Sequence, residues 1–130
     1  MALTVQSMME AANAAVARID SAKAQDMMAQ GALLLDVRDT LELEQSGRAV
    51  GSHHIPRGML EFRADKNTPF YDPELRPDRV IILHCASGGR AALAGKLLKD
   101  MGFQEVFNLG GFEDWKKAGA PVIEPADSGM

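Results

Sequence analysis

The sequence predicts an α/β domain with a central, mainly parallel sheet. Three short apolar runs carry that expectation: Ala32 to Val37, Val80 to Leu83, and Val106-Phe107. The first, set between a helix stop and a polar turn, reads as a strand buried on both faces, and the second, β-branched and uncharged, as another buried strand. Between the runs lie stretches with apolar residues three and four apart, the spacing of amphipathic helices. Strands alternating with helices imply βαβ units, whose crossovers make neighbouring strands parallel.

Taken in order, Val5, Met8, Met9, Ala12, Val16 and Ile19 form one helical stripe, with Thr4 as N-cap. The stripe packs on the domain's own core; a docking face for a partner is the sharper alternative. A second helix is expected from about Ser21 to Gln30, with Ala24, Met27 and Met28 inward and Gly31 just past its end. The first strand follows. Leu41 and Leu43 belong to a helical turn that Gly47 ends, and Gly51 to Gly58 suits a short strand and a turn. Residues 64–78, with Pro69, Pro73 and Pro77, read as a surface loop with room for one helical turn. Val80 to Leu83 is the second strand. Ala94, Leu97, Leu98 and Met101 mark the helix after it, stopped by Gly102. After the third strand, Gly110-Gly111 reads as a turn, Phe112 to Ala118 as a last helix, and the chain past Pro121, which has no pattern, as loose. The expected division is an N-terminal amphipathic helical extension over 1–17, one domain over 18–123 and a disordered tail over 124–130.

The chain has 130 residues, 46% of them apolar and 25% charged, which suits one soluble globular domain. A net charge of −4 lacks the basic face that nucleic acid requires. No apolar run approaches the roughly 20 residues that span a bilayer, so no membrane partner is expected. Cys85 is the single cysteine, which rules out an intrachain disulfide and a cysteine-rich metal site. A lone thiol suits a reducing compartment, and the N-terminus lacks the basic segment of a secretory signal. The expected location is the cytoplasm.

The chemistry concentrates in His84-Cys85-Ala86-Ser87-Gly88-Gly89-Arg90. Cys85 leaves the second strand where open α/β sheets bind their ligands. The glycines let backbone amides turn toward one centre, and a helix opens just beyond. Such a cradle binds anions and favours a thiolate nucleophile. Arg90 offers a planar fork of donors to an oxyanion. The competing reading is a buried cysteine acting as a small hydrophobe. His84, adjacent on the strand, faces the opposite side.

These residues resemble the rhodanese family over nearly the whole domain. Leu34-Leu35-Asp36-Val37-Arg38 with Glu42, then Gly51, His54, Ile55, Pro56 and Gly58, then Val80 to Arg90, then Leu109-Gly110-Gly111, Trp115 and Gly119-Ala120-Pro121, follow the family's segments in order. The resemblance implies a three-layer fold, a central mainly parallel sheet flanked by helices. It implies that Cys85 takes a sulfane sulfur from a donor such as thiosulfate, holds it as a persulfide and passes it to a thiol or cyanide acceptor, or to an acceptor protein. Ala86, Ser87, Gly88, Gly89 and Arg90 would form the loop that binds substrate and stabilises the persulfide. It implies no metal and no organic cofactor. The sequence departs from many relatives at Ala86, where a basic residue is common, and at Ala91, where Ser or Thr is common.

Asp36 is expected to support the loop, Arg38 to add positive field, and Arg57 to face the pocket or lie solvated in its turn. Trp115 reads as core, and the eight methionines as packing residues. Two alternatives remain. One is a phosphatase or arsenate reductase on the same fold, disfavoured because the Cys85–Arg90 loop is one residue shorter than the Cys-x5-Arg loop of those enzymes. The other is a sulfur carrier or regulatory binding module without turnover.

Overall fold

In the computed structural model, which describes residues 2–125, five parallel strands form a sheet in the order β1-β6-β5-β2-β4. They are β1 (Ala17–Arg18), β2 (Leu33–Asp36), β4 (Ser52–His54), β5 (Ile81–Cys85) and β6 (Val106–Gly111). A separate antiparallel pair joins β3 (Arg48–Ala49) to β7 (Val122–Ile123). The helices are α1 (Val5–Ala15), α2 (Ser21–Ala29), α3 (Thr40–Ser46), α4 (Leu60–Ala64), α5 (Gly89–Asp100) and α6 (Phe112–Lys117), with one 3-10 turn over Arg57–Met59. The α/β expectation with a parallel central sheet holds.

β2 and β5 sit in the middle of the sheet and bury every residue, as their unbroken apolar runs require. One layer of core joins Leu33, Leu35, Ile81, Leu83 and Cys85 to Ala91, Ala94 and Leu98 of α5 and Leu60 of α4. The other joins Leu34, Ile82 and Leu109 to Ala24 of α2 and to Phe112 and Trp115 of α6. Alternate residues of each strand thus feed opposite layers.

α1 begins at Thr4, whose hydroxyl accepts from the Ser7 amide. It packs on α5 through buried Ala12 and half-buried Met8 and Met9. Gly95 allows this approach, since a Cβ there would stand 3.0 Å from both Val16 methyls. Two residues of the expected stripe fall elsewhere: Val5 is exposed, and Ile19 lies beyond the helix because Ala17-Arg18 extend beside β6 as an edge strand. α2 stops as expected. Gly31 takes φ +106°, and its amide and that of Ala32 close on Met28 and Met27 carbonyls.

Two expectations are corrected. Gly110-Gly111 is not a turn but the end of β6, paired with His84 and Cys85. Leu60–Ala64, where no element was expected, adds a helix of a turn and a half, too short to show periodicity. Past Pro121 the chain is paired rather than loose, because Val122-Ile123 find Ala49 and Arg48. The expected tail lies, from residue 126 on, outside the described residues.

Candidate active site

The chain leaves β2 for β4 on one side and leaves β5 for β6 on the other, so the order of strands reverses between β2 and β5. The crevice at their carboxyl ends is where such sheets bind ligands. Cys85 ends β5 there, 1% exposed and packed in the α5 layer. His84 faces the α6 layer, stacked on Phe112 with ring centroids 6.1 Å apart.

The loop after Cys85 turns back at once. Gly88 adopts φ +109°, a left-handed conformation that other residues rarely take, and caps α5. Its amide donates to Cys85 Sγ at 3.0 Å. The first amides of α5 have no intrahelical acceptor, and the positive end of the helix lies over the same sulfur. Ala86 and Ser87 form the exposed rim.

The end of β6 is the floor on which this loop rests. A Cβ on Gly111 would overlap the Ala86 carbonyl and stand 2.9 Å from Ser87 Cα. Asn108 pins the loop from below: its Nδ2 donates to the Gly88 carbonyl at 3.2 Å, and its Oδ1 accepts from the Gly110 amide at 2.8 Å. β6 carries one extra residue opposite the Leu83–His84 step of β5, a bulge that lets Gly110-Gly111 meet His84 and Cys85. Sequence reasoning missed Asn108 and the role of both glycines. The signal was there, since a buried polar residue next to two glycines inside an apolar strand needs a partner.

Arg90 does not offer its fork to the crevice. Nη1 and Nη2 donate to Glu42 Oε2 and Oε1 at 2.7 and 2.8 Å, a bidentate pair that ties the start of α5 to α3. Glu42 Oε2 also accepts from the Asp39 amide. The Arg90 hydrogen bond, partly opposed by burial, pulls the Glu42 pKa from the ordinary 4.5 to about 2, and the pair holds Arg90 more firmly protonated.

Arg38 adds no free positive field either. Its Nη2 donates to Asp36 Oδ2 at 2.8 Å and to the Gly47 carbonyl at 2.9 Å, with the residue 1% exposed. The guanidinium lies 4.3 Å from the Phe112 ring centroid. Burial, the largest single effect, would raise the Asp36 pKa, but the Arg38 hydrogen bonds together with the charges of His84 and Arg38 outweigh it, and the carboxylate stays below its usual range. Asp36 therefore holds Arg38 rather than any atom of the loop. Its Oδ2 lies 3.6 Å from His84 Nε2, which has no hydrogen-bond partner among the described residues. Burial pushes the His84 pKa down, toward the neutral ring. Arg57 is paired with Glu61 at 2.9 Å and borders a groove between α1 and α5, together with Met8 and Leu97. The structure thus brings Cys85, the loop and Glu42-bound Arg90 together, with Asp36 and Arg38 as a buried brace at the neighbouring strand end.

Residues 20–118 match the family model of the rhodanese-like domain. The chain belongs to that family. Among its relatives is the thiosulfate sulfurtransferase GlpE of Haemophilus influenzae, 30% identical over 103 residues, which are 77% of this chain and 88% of that protein. An uncharacterised Bacillus subtilis protein, YqhL, is 36% identical over 85 residues; the match spans 65% of this chain and 60% of that relative. Two solved structures align over almost the whole rhodanese-like chain. One is the polysulfide-sulfur transferase homodimer of Wolinella succinogenes, with TM-score 0.75, 28% identity and coverage of 96% of this chain and 90% of that one. The other, from Rhodopseudomonas palustris, is named a protein of unknown function and "Possible Tyrosine Phosphatase", with TM-score 0.86, 34% identity and coverage of 95% and 96%. Sulfurtransferases among the relatives support a rhodanese-type enzyme at the level of the family, with sulfur donors and acceptors as its general partners.

Proposed function

We propose that this rhodanese-like chain is a sulfurtransferase that carries sulfane sulfur on Cys85. The observation that supports it most is the Gly88 amide aimed at Cys85 Sγ, at the head of α5. The Cys85 thiolate attacks the outer sulfur of a donor such as thiosulfate. The donor's S–S bond breaks, sulfite leaves with the electron pair, and Cys85 becomes a persulfide. A thiolate or cyanide then attacks the outer sulfur, takes it as a persulfide or thiocyanate, and returns Cys85 to the thiolate. Donor and acceptor charges need no metal or organic cofactor. Asp36 and Arg38 hold the crevice wall, Glu42 and Arg90 hold the start of α5, and Ala86 to Gly89 surround the transferred sulfur. An acceptor protein fits the exposed Ala86-Ser87 rim. The cytoplasm, where a lone thiol stays reduced, is the location that goes with this chemistry.

The phosphatase reading has a neighbour of that printed name. Against it stand the short loop and the burial of Cys85, which admit the slender end of a sulfur donor better than a tetrahedral phosphate on an aryl group. Intact-mass spectrometry after incubation with thiosulfate tests the proposal. A gain of about 32 Da, one sulfur atom, that Cys85→Ser abolishes while keeping native circular dichroism is the expected result. No gain with thiosulfate or polysulfide, or an equal gain in Cys85→Ser, would overturn it.

A further inference from the structure

A sulfonate-bearing donor brings charge to the crevice, yet both loop-side arginines are already neutralised. Arg90 is held by Glu42 and Arg38 by Asp36. Ala86, Ser87, Gly88 and Gly89 supply no cation. One further guanidinium does lie against this loop. Arg18, exposed at the carboxyl end of edge strand β1, crosses over the end of β6. Its Nη1 is 3.8 Å from where a Gly88 Cβ would stand, so it sits beside the residue whose amide holds the sulfur. Its Nη2 and Cζ fill the space above Gly110, 2.5 and 3.2 Å from where that residue's Cβ would be. Gly110, at φ +104°, leaves a slot that any side chain would take from Arg18.

Among the described residues Arg18 makes no ion pair and no side-chain hydrogen bond. Across the slot, Asp114 accepts from the Gly111 amide, and its Oδ2 stands 2.8 Å from the place of the Gly110 Cβ without forming an ion pair with the guanidinium. The cation is therefore positioned by shape, with its donors uncommitted. Such a group attracts an anion without first losing a partner.

We propose that Arg18 is the anion-recognising residue of this site, receiving the sulfonate end of the donor and the sulfite that leaves. The assignment rests on the sulfurtransferase reading. Sulfur passes from donor to the Cys85 thiolate as above, and the electron pair of the broken S–S bond departs on sulfite. Arg18 faces the oxygens of that group and takes no part in bond making.

The test compares Arg18→Gln and Arg18→Lys with the parent, reading Cys85 persulfide by intact mass and steady-state rates with two donors. Thiosulfate is dianionic; methanethiosulfonate carries one charge and a methyl in place of an oxyanion. In Arg18→Gln the KM for thiosulfate should rise roughly five- to tenfold with kcat little changed, as for loss of an exposed charge-assisted contact. The rise with methanethiosulfonate should be smaller. Inhibition by added sulfite should weaken in parallel, and Arg18→Lys should recover part of the loss. Equal loss with both donors, carried in kcat, would show that Arg18 merely props the loop and would overturn the proposal, as would unchanged kinetics. A parent protein that loads no sulfur from either donor would instead overturn the sulfurtransferase reading.

Discussion

A carboxylate that binds both terminal nitrogens of one guanidinium stays ionised far into acid, and Glu42 does so against Arg90. Its folded-state pKa of about 2 lies below the ordinary 4.5. The folded state therefore binds fewer protons than the unfolded chain between those values, and stability falls as pH falls. The contribution is fully present above pH 4.5 and is lost progressively toward pH 2. Glu42→Gln should narrow the difference in denaturation midpoint between pH 5 and about pH 2.5, read by urea titration at each pH. A variant that loses stability to acid as steeply as the parent would show that another carboxylate governs this window. The same residue explains why the loop arginine was misjudged. Arg90 alone suggests an anion-binding fork, whereas its partner sits 48 positions earlier in the chain.

At the scale of elements, β6 does more than close the sheet. Its bulge and two final glycines bring backbone against backbone beneath the Cys85 loop. No side chain fits at Gly111, because the Ala86 carbonyl occupies the place of its Cβ. Gly111→Ala should cost about 1–3 kcal/mol by overpacking, since both contacting groups are main chain and cannot rotate away. It should also lift the loop and lower Cys85 persulfide formation. Chemical denaturation and mass-monitored loading check the two effects separately. Unchanged stability and loading would mean that the loop does not rest on β6.

For the whole molecule, the crevice exists because the chain winds outward both ways from β2 and β5. Each of the two central strands delivers a different part: β5 ends at Cys85, and β2 ends at Asp36, whose carboxylate pairs with Arg38 just beyond it. On the proposed sulfurtransferase reading, the size of the loop after Cys85 sets the reaction class. Phosphoryl transfer needs donors for three equatorial oxygens, while a persulfide needs support for one outer sulfur. Inserting one glycine between Ser87 and Gly88 should lower sulfur transfer, because it moves the Gly88 amide away from Cys85 Sγ. The unmodified protein should hydrolyse aryl phosphates negligibly at matched substrate concentration. Robust phosphate release by the parent, with no persulfide on Cys85, would reverse that assignment of reaction class.

The central strands, the helices α1, α2 and α5, and the position of Cys85 were legible in the sequence, because burial on both faces or on one stripe leaves a periodic pattern. Gly31 and Thr4 marked helix ends by local backbone chemistry alone. Other features carry no local signal. β1, β3 and β7 are two residues long, and only register with a distant partner makes them strands. Gly110-Gly111 has the composition of a turn and became a floor because another segment packs on it. The sequence by itself determined the fold class and the place of Cys85 at a strand end. Tertiary structure alone decided which charges are spent, because ion pairing is fixed by proximity in space. It gave Arg90 to Glu42 and Arg38 to Asp36, and left Arg18 beside the loop.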